Sequence, residues 1–556
     1  MCGIWACLGV IDNCQKHVSR LEARGPEGTR IVKVAPNVTL GFTRLAINGL
    51  TDAGMQPYSN GPLTWICNGE IYNSKDLEKE LGLDNTGSDC HCIGELYMRH
   101  RDDLDTFARA LDGVFGLVLY DSERERLIVA RDPYGVRPLF VGTNFCNDTV
   151  VFSSEIKGIG REFDRIEPVL PGTISVYGVL PTSTKNIFVL KSTSKYHTVP
   201  WITNPQFAPP SFTARVDAAL ALRYALEEAV YKRMLTDRPV AALLSGGLDS
   251  SLIASLVQMN LKQLKQPPLK TFSIGFEGSS DLKHARIVAD WIGSDHTEIV
   301  MTADEFFNAI PEVIEAIESY DTTTVRASVG NYLIAKKIRA LTECKVVFNG
   351  DGSDELFGGY LYFNNAPNDQ AFHAEAGRLL ENIHTFDVLR SDRSISANGL
   401  EARTPFLDKQ FVAVVRSIHP SLLRPVRDGL DARIEKALLR EAFDDGLTLP
   451  DEVLWRRKEA FSDGVSGPDK AWYQEIQERV PALADDLETT YTYMTPKNAE
   501  DYYYRSLYAS FYGDAHCKAT VPYKWMPKWC PETNDPSART LRVYCDDRGV
   551  LNLSTP

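Results

Sequence analysis

The chain has 556 residues, of which 60 are basic and 74 acidic, so its net charge is -14. One hydrophobic core rarely spans so many residues, and we expect two domains or three. A surface of this charge repels nucleic acid and anionic membranes, and no apolar run approaches the ~20 residues of a membrane helix. The composition therefore excludes a nonspecific polyanion-binding protein and predicts neither a nucleic-acid partner nor a membrane span.

The cysteines indicate a reducing compartment. There are eleven, an odd number scattered through a large chain, which suits free thiols better than a disulfide scaffold. The apolar start has no basic region and no clear cleavage site of a secretory signal. Cys90 and Cys92 flank His91 at a spacing tighter than zinc motifs use, so we expect no zinc site there. These features predict a cytoplasmic protein.

The opening stretch MCGIWACLGV places a thiol at the second position. Small residues there usually allow the initiator methionine to be trimmed, which would make Cys2 the first residue. Its α-amine, with a pKa of about 8, could then act as general base for its own thiol. The alternative is that Cys2 is the inert end of a buried strand, and this stretch alone leaves both interpretations open.

Up to about residue 195, short apolar runs alternate with Gly, Pro and Asn, which is typical of stacked, largely antiparallel sheets. A helix is expected around KDLEKEL. The predicted strands are GTRIVKVAP, LTWICNGEIY, VFGLVLYD, ERLIVARD, VVFSSE and GTISVYGV.

The pattern changes after a Pro-rich stretch. We predict domains at 1–195 and 213–556 joined by an extended linker at 196–212. A helix is expected from Thr213, its N-cap, to Leu235, with apolar residues at helical spacing. These are Val216, Leu220, Leu226 and Val230. Strands at 240–244, TFSIGF and KVVFNG alternate with helices, which indicates a parallel sheet, and the chain beyond about residue 365 is predicted to be mostly helical.

The predicted strand at 240–244 runs into SGGLDSS, residues 245–251, and then into a helix. Two glycines, serine hydroxyls and a helix N-terminus together suit an anion such as phosphate. The Walker pattern GxxxxGK[ST] is absent. A carboxylate beside bound phosphates needs a metal between them, so Asp249 predicts a Mg²⁺ ligand. The alternative is an ordinary strand-to-helix turn.

A second glycine-rich acidic loop, NGDGSDELFGGY, follows the strand KVVFNG at residues 349–360. Loops after different parallel strands meet at the carboxyl edge of the sheet, where ligands bind. Asp354 could therefore join Asp249 on one metal ion. The alternative is a solvated acidic turn.

Taken together, these loops and the SIGF strand resemble the pyrophosphate-loop ATPase domain of the glutamine-hydrolysing asparagine synthetases. Similar segments run over nearly the whole chain: SYDTTTVRAS, EARTPFLD, WRRKEAFSDGV and WMPKW…DPSART. The resemblance implies ATP-dependent adenylation of the aspartate β-carboxylate, with Mg²⁺ as metal and pyrophosphate as product. It also implies that Thr323, Thr324 and Arg326 contact aspartate or pyrophosphate, and that Lys458 neutralises phosphate charge.

The first half carries the motifs of the same family's glutaminase domain in order: CGI, RGPEG, GFTRLAI, CNGEIYN and GSD. The resemblance implies a class II glutaminase built as an αββα sandwich of the N-terminal-nucleophile type, followed by an α/β ATP-pyrophosphatase domain. Cys2 would attack glutamine, Asn68 and Gly69 would stabilise the oxyanion, and Glu70 with Asp89 would bind the α-ammonium group. Arg44, beside Ile47, would bind the α-carboxylate.

The complete set of implied sites includes further nucleotide-binding residues. Implied ATP-binding residues are Leu243, Leu244, Ser245, Gly246, Gly247, Asp249, Ser250, Ile274, Asn349, Gly350 and Lys458; implied catalytic residues are Cys2, Asn68, Gly69, Arg326, Asp351 and Lys458. Ammonia is expected to cross between the domains through an enclosed passage near RDPYGVRPLF, a segment whose role could equally be structural. The partners are the substrates glutamine, aspartate and ATP, and the sequence leaves a homodimer open.

Several positions depart from the family pattern. Asp351 stands where relatives have a Glu proposed to take a proton from ammonia, and Asp is shorter by about 1.5 Å. It could act as that base or only electrostatically. Asn349 and Asn398 stand where Ser and His are usual, and RGPEG replaces RGPD.

Three alternatives compete with this hypothesis. A β-lactam-forming synthetase would lack the N-terminal Cys and the glutaminase pocket. A phosphoribosyl-transferring amidotransferase would lack SGGLDSS. A non-enzymatic nucleotide- or glutamine-binding relative should first have lost Cys2, Asp249 or Asp354.

Overall fold

The computed structural model describes residues 1–84, 87–182, 186–200, 211–427, 432–459, 461–467, 470–482, 491–531 and 533–541. Residues 201–210 of the predicted linker lie outside this set. Within the described residues, no helix combines the length and the apolar character needed to cross a membrane.

The first half contains two six-stranded antiparallel sheets. The strands are β1 Gly3–Leu8, β2 Thr29–Ala35, β3 Val38–Thr43, β4 Tyr58–Asn60, β5 Leu63–Ile71, β6 Gly113–Asp121, β7 Arg126–Arg131, β8 Phe140–Asn144, β9 Thr149–Ser153, β10 Arg165–Pro168, β11 Thr173–Pro181 and β12 Asn186–Lys195. One sheet has the order β10-β8-β9-β1-β3-β2, and the other has the order β12-β11-β7-β6-β5-β4.

The strand β6 shows why the sheets stack. Its side chains alternate between two cores: Phe115 and Leu117 face the outer helices, whereas Val118 packs between the sheets. Such alternation is what a strand buried on both faces requires. Outside the sheets lie α1 Cys14–Ser19 on one face and α2 Ser74–Leu81, α3 Cys92–Arg99 and α4 Leu104–Ala110 on the other. The predicted αββα sandwich is therefore confirmed.

The second half contains one parallel sheet with crossover helices, as predicted. Its strands are β13 Val240–Leu243, β14 Lys270–Gly275, β15 Asp295–Val300, β16 Val346–Phe348 and β17 Glu401–Arg403. The order is β15-β14-β13-β16-β17, so the topology reverses between β13 and β16. Ligands bind at such switch points, beyond the carboxyl ends of the strands.

The helices of the second half continue to the end of the described chain. They are α5 Phe212–Lys232, α6 Leu248–Gln263, α7 Ser280–Ile292, α8 Ala303–Ile317, α9 Thr322–Leu341, α10 Ser353–Phe357, α11 Asp369–Asn382, α12 Asp387–Ser396, α13 Lys409–Ser417, α14 Pro420–Leu423, α15 Ala437–Ala442, α16 Asp451–Leu454, α17 Phe461–Gly464, α18 Trp472–Arg479, α19 Ala499–Tyr512 and α20 Cys517–Thr520. The predominance of helix after residue 365 is confirmed.

Helix α5 differs from the prediction at its start. The N-cap is Ser211, whose Oγ accepts a hydrogen bond from the Ala214 N–H at 3.2 Å, so the predicted cap at Thr213 is wrong. Its apolar spacing also misleads, because Leu226 is buried whereas Leu220 is 62% exposed. Leu, Ala and Val occur on every side of this helix, so the sequence alone does not identify its buried face.

The two halves meet in a buried interface that combines apolar contacts with ion pairs. Leu45 and Val136 of the first half belong to one apolar cluster with Ala242 of the second. Nearby, the guanidinium of Arg24 lies 2.9 Å from Asp392 of α12, and both side chains are almost fully buried. Val136 lies within RDPYGVRPLF, and the interface location predicted for this segment agrees with the structure.

Candidate active sites

Cys2 immediately precedes β1, a central strand of the first sheet. Its Sγ donates to the Leu45 carbonyl at 3.5 Å and accepts from the Leu45 N–H at 3.4 Å. Met1 is buried ahead of it, and its α-amine donates to the Leu400 carbonyl at 3.0 Å. Burial raises the pKa of the Cys2 thiol to about 11 and lowers the pKa of the amine to about 5. With Met1 attached, the thiol is thus a poor nucleophile at neutral pH.

The amide of Asn68 is 1% exposed, and neither its nitrogen nor its oxygen has a hydrogen-bond partner within the described residues. A buried amide without partners is costly, which points to a ligand that completes the site. Gly69 follows on β5, where a Cβ atom would lie 2.2 Å from the Val114 carbonyl oxygen. The close strand pairing therefore requires glycine beside this amide.

The carboxyl groups of Glu70 and Asp89 lie close to each other, and the Arg403 guanidinium lies 3.3 Å from Glu70. Burial raises the pKa of Glu70 well above its usual range, with the Asp89 carboxylate as the next cause. Burial also raises the pKa of Asp89 to about 6, although its Oδ2 accepts a hydrogen bond from the Ile71 N–H at 2.8 Å. An ammonium group would relieve this repulsion.

Arg44 and Ile47 lie on the segment after β3. The guanidinium of Arg44 is 7% exposed and donates to the Gly49 carbonyl, and the Ile47 carbonyl accepts from the Asp237 N–H at 3.0 Å. Burial raises the pKa of Cys2, and the charge of Arg44 opposes that rise because it favours the thiolate. The structure thus links Arg44 with Cys2 and Glu70 with Asp89, and the binding of glutamine by these residues stays a prediction.

A second cavity opens at the switch point of the parallel sheet, beyond β13 and β16. The predicted residues that line it are Leu243, Leu244, Ser245, Gly247, Asp249, Ser250, Ile274, Thr323, Thr324, Asn349, Gly350, Asp351, Asp354 and Lys458. Of the residues predicted for the synthetase site, Gly246 and Arg326 do not line it.

The loop SGGLDSS has the geometry expected of an anion-binding turn. Gly246 has φ +70, and a Cβ atom there would lie 2.4 Å from the Ala285 backbone nitrogen, so this position needs glycine. Ser245 and Ser250 place their hydroxyl oxygens 3.0 Å apart at the start of α6. The N-terminus of a helix and two hydroxyls therefore face the cavity.

Asp249 and Asp354 converge on one cation. Lys436 Nζ lies 2.7 Å from Asp249 and 2.5 Å from Asp354, and Lys458 Nζ lies 2.6 Å from Asp354. Burial disfavours the ionised Asp354, but the two lysines outweigh it and hold its pKa well below the usual range. Two convergent carboxylates that already surround a positive charge fit Mg²⁺, which takes one or two protein carboxylates and completes its shell with water and phosphate.

The threonines and the arginine of SYDTTTVRAS separate in the structure. Thr323 and Thr324 line the cavity, and the Thr323 hydroxyl has no partner within the described residues. The Arg326 guanidinium lies away from the cavity in a double ion pair, with Glu500 at 2.6 Å and Asp535 at 2.8 Å. The side chain is 4% exposed, and the contact of Arg326 with substrate stays a prediction.

Asp351 lines the cavity, with its Oδ1 3.1 Å from Arg390 Nη2. Burial raises the pKa of its carboxyl to about 6, with Arg390 opposing and Asp387 adding to the shift. A carboxyl that titrates near neutrality suits proton transfer better than an ordinary Asp does.

Sequence reasoning missed several cavity residues. Lys436 stands in RIEKALL without a glycine turn, and its partner Asp249 is 187 residues away. Asp387 and Arg390 lie one turn apart on α12. From the sequence alone, such a spacing predicts an ordinary ion pair on a helix surface. Glu355 and Trp525 also line the cavity.

Comparison with known proteins matches both halves of the chain. Residues 1–196 match the glutamine amidotransferase domain family, and residues 221–376 and 364–528 match the asparagine synthase family. The chain is 40% identical to the asparagine synthetase [glutamine-hydrolyzing] of Gallus gallus and 41% identical to that of Homo sapiens. Each match covers 98% of this chain and 99% of the relative.

A solved structure of the glutamine phosphoribosylpyrophosphate amidotransferase of B. subtilis, complexed with ADP and GMP, shows a weaker likeness. It is 15% identical, covers 54% of this chain and 90% of that one, and has a TM-score of 0.30. Because the identity to the two synthetases extends over nearly the whole chain and both catalytic halves match, the chain belongs to the family of glutamine-hydrolysing asparagine synthetases.

Proposed function

We propose that this chain makes asparagine from aspartate, with ATP as energy source and glutamine as nitrogen donor. The convergence of a terminal thiol site and a phosphate-loop cavity in one chain carries the proposal. Membership of the family supports ATP use. Mg²⁺ and the individual roles below are part of the proposal.

In the glutaminase site, removal of Met1 frees the α-amine of Cys2, which takes the thiol proton. The thiolate attacks the glutamine side-chain amide. Asn68 Nδ2, which has no partner within the described residues, and the Gly69 N–H donate to the oxyanion. Arg44 holds the α-carboxylate, and Glu70 and Asp89 hold the α-ammonium. Ammonia leaves, and water hydrolyses the thioester to glutamate.

Ammonia then moves inside the protein. In bulk water at neutral pH it would be protonated and would lose its nucleophilic lone pair. The buried interface between the halves, with Leu45, Val136 and Ala242 in one apolar cluster, supports an internal path.

In the synthetase cavity, Asp249 and Asp354 would hold Mg²⁺, which supplies charge neutralisation at the pyrophosphate group when bound. Lys458 and Lys436 add positive charge beside the same phosphates. The SGGLDSS backbone orients the nucleotide so that the aspartate β-carboxylate attacks the α-phosphorus, releasing pyrophosphate. Asp351 takes a proton from ammonia as it displaces AMP from the β-aspartyl adenylate.

The location and assembly are further parts of the proposal. No disulfide joins any of the ten cysteines that the structure describes, which supports a reducing, cytoplasmic environment. A homodimer stays a prediction.

The test is a product balance. Purified protein with glutamine, aspartate and Mg²⁺-ATP should yield asparagine, glutamate, AMP and pyrophosphate in equal amounts. Release of ADP instead of AMP, or equal use of glutamate in place of aspartate as acceptor, would contradict the proposal.

A further inference from the structure

The synthetase cavity requires a group that recognises the α-carboxylate of its amino-acid acceptor. Arg326, the arginine expected there from the sequence, is occupied by Glu500 and Asp535. Lys436 pairs with Asp249 and Lys458 pairs with Asp354, in the part of the cavity proposed to bind the phosphates. Among the other arginines of the cavity wall, Arg440 pairs with Glu435 and Arg456 pairs with Asp281 and Glu459, so we consider Arg390.

Arg390 of α12 lies in that wall, next to the proposed base. Its Nη2 is 3.1 Å from Asp351 and 2.5 Å from Asp387. Its Nε is buried and has no hydrogen-bond partner within the described residues. A buried guanidinium N–H without a partner is costly, and a carboxylate is the ligand that best satisfies it.

Glu355 of α10 lines the same part of the cavity and is 4% exposed. Its Oε1 accepts a hydrogen bond from the Tyr360 hydroxyl at 2.6 Å, whereas Oε2 has no partner in the described part of the chain. Asp387 and Asp351 add two more carboxylates around the single guanidinium of Arg390. The group carries surplus negative charge, which a bound ammonium would offset.

From these contacts we infer that Arg390, Glu355 and Asp387 form a subsite for the α-carboxylate and α-ammonium of an α-amino acid. Arg390 binds the carboxylate through the free Nε, and Glu355 with Asp387 binds the ammonium. The inference rests on the proposed function and specifies how that site recognises aspartate.

The position of this subsite fits the chemistry. Glu355 directly follows the proposed metal ligand Asp354, so the subsite borders the phosphate region. In aspartate, two carbon–carbon bonds of about 1.5 Å each separate the reacting β-carboxyl carbon from the α-carbon. An acceptor held at Arg390 and Glu355 therefore keeps its β-carboxylate close to the phosphates and to Asp351.

The experiment measures dissociation constants by calorimetry, with Mg²⁺ and α,β-methylene-ATP, which cannot be cleaved at the α-phosphorus. Three ligands are compared: aspartate, succinate, which lacks the ammonium, and 3-aminopropanoate, which lacks the α-carboxylate. Arg390→Gln should weaken the binding of aspartate and of succinate by about 10- to 100-fold, as expected for a lost hydrogen bond to a charged group. It should change the dissociation constant of 3-aminopropanoate by less than about threefold.

Glu355→Gln should give the opposite pattern. It should weaken the binding of aspartate and of 3-aminopropanoate but leave the binding of succinate unchanged. Because a merely misfolded variant would weaken all three ligands alike, the crossed pattern separates recognition from structure. Arg378→Gln is the matched control: Arg378 pairs with Glu375 on α11 and is not among the cavity-lining residues. It should change no constant.

Equal weakening of all three ligands by Arg390→Gln, or no weakening of aspartate, would overturn the subsite. Pyrophosphate release by the unmodified protein with aspartate is measured in parallel. If that release is absent, the proposed function fails, whereas the crossed binding pattern still decides the subsite.

Discussion

The guanidinium of Arg403 lies 3.3 Å from the carboxylate of Glu70, and both side chains are buried. Arg403 belongs to β17 of the parallel sheet, and its carbonyl accepts the Asn349 N–H at 3.1 Å. Glu70 belongs to the glutaminase site. The strand that supports the nucleotide loop therefore also supplies positive charge to the proposed glutamine site.

We expect Arg403→Met to lower the free energy of unfolding by about 3–5 kcal/mol, because it removes the buried guanidinium that pairs with both Glu70 and Glu401. Urea denaturation followed by circular dichroism measures the change. Arg99→Met is the control: Arg99 pairs with Glu80 at an exposed site, where the loss should stay below about 1 kcal/mol. Equal stability of the two variants would rule out an energetic role for the Arg403 pair.

Cys2→Ala should abolish glutamine-dependent asparagine synthesis but leave synthesis from ammonium salt intact, because the thiol attacks glutamine and takes no part in adenylation. Asparagine formation from either nitrogen source is measured with the same preparation. Cys14→Ala, which removes another partly exposed thiol of the first half, should preserve both activities. If Cys2→Ala also lost the ammonia-dependent activity while folded, the two sites would not act separately.

The residues proposed for the glutamine site stand in short motifs that can be recognised in the sequence, although Cys2 adjoins a strand of one sheet and Asn68 lies on a strand of the other. Asn68, Gly69 and Glu70 are consecutive on one strand, so placing that strand places all three. The pairing of Glu70 with Arg403 could not be predicted, since 333 residues and a different sheet separate the two.

Asp249→Asn should lower the rate of aspartate-dependent pyrophosphate release by at least about 100-fold, because a neutral amide does not hold Mg²⁺ as a carboxylate does. Chelation of Mg²⁺ in the unmodified protein should have the same effect. Glutamine hydrolysis should persist in both cases. The control, Asp290→Asn, alters an exposed carboxylate of α7. Undiminished pyrophosphate release by Asp249→Asn would remove this residue from the metal site.

Arg326→Met tests a residue whose sequence-based role and structural position differ. In the structure Arg326 joins α9 to Glu500 of α19 and to Asp535, so we expect a loss of about 3–5 kcal/mol in unfolding free energy. The Michaelis constant for aspartate should change little at temperatures where the variant is folded. A stable variant with a strongly raised Michaelis constant would support direct contact with substrate instead.

The surroundings of Arg326 could not be predicted from its motif. Thr323 and Thr324 occupy the first turn of α9 and face the cavity, whereas Arg326 lies further along the helix and meets acidic residues more than 170 positions away. A short motif predicts which helix borders a site. It does not predict how distant charges compete for an arginine.

Asp408 should make stability depend on pH. Its side chain caps α13 and pairs with Arg233 at 2.8 Å and Lys232 at 2.5 Å. Burial disfavours the ionised carboxyl, but the two cations outweigh it and lower the pKa of Asp408 to about 2. Because the folded-state pKa is depressed, the contribution is complete above the unfolded-state pKa and is lost as the pH falls toward 2.

The matched variant is Asp408→Asn, since Asn also caps helices well and the comparison isolates the charge. At pH 7 it should be less stable than the unmodified protein by about 2 kcal/mol, and the difference should shrink to about half at pH 3. Urea unfolding at pH 7, 5, 4 and 3 measures it. A difference that stays constant over this range would mean that packing or hydrogen bonding, and not the ionised carboxylate, sets the contribution of Asp408.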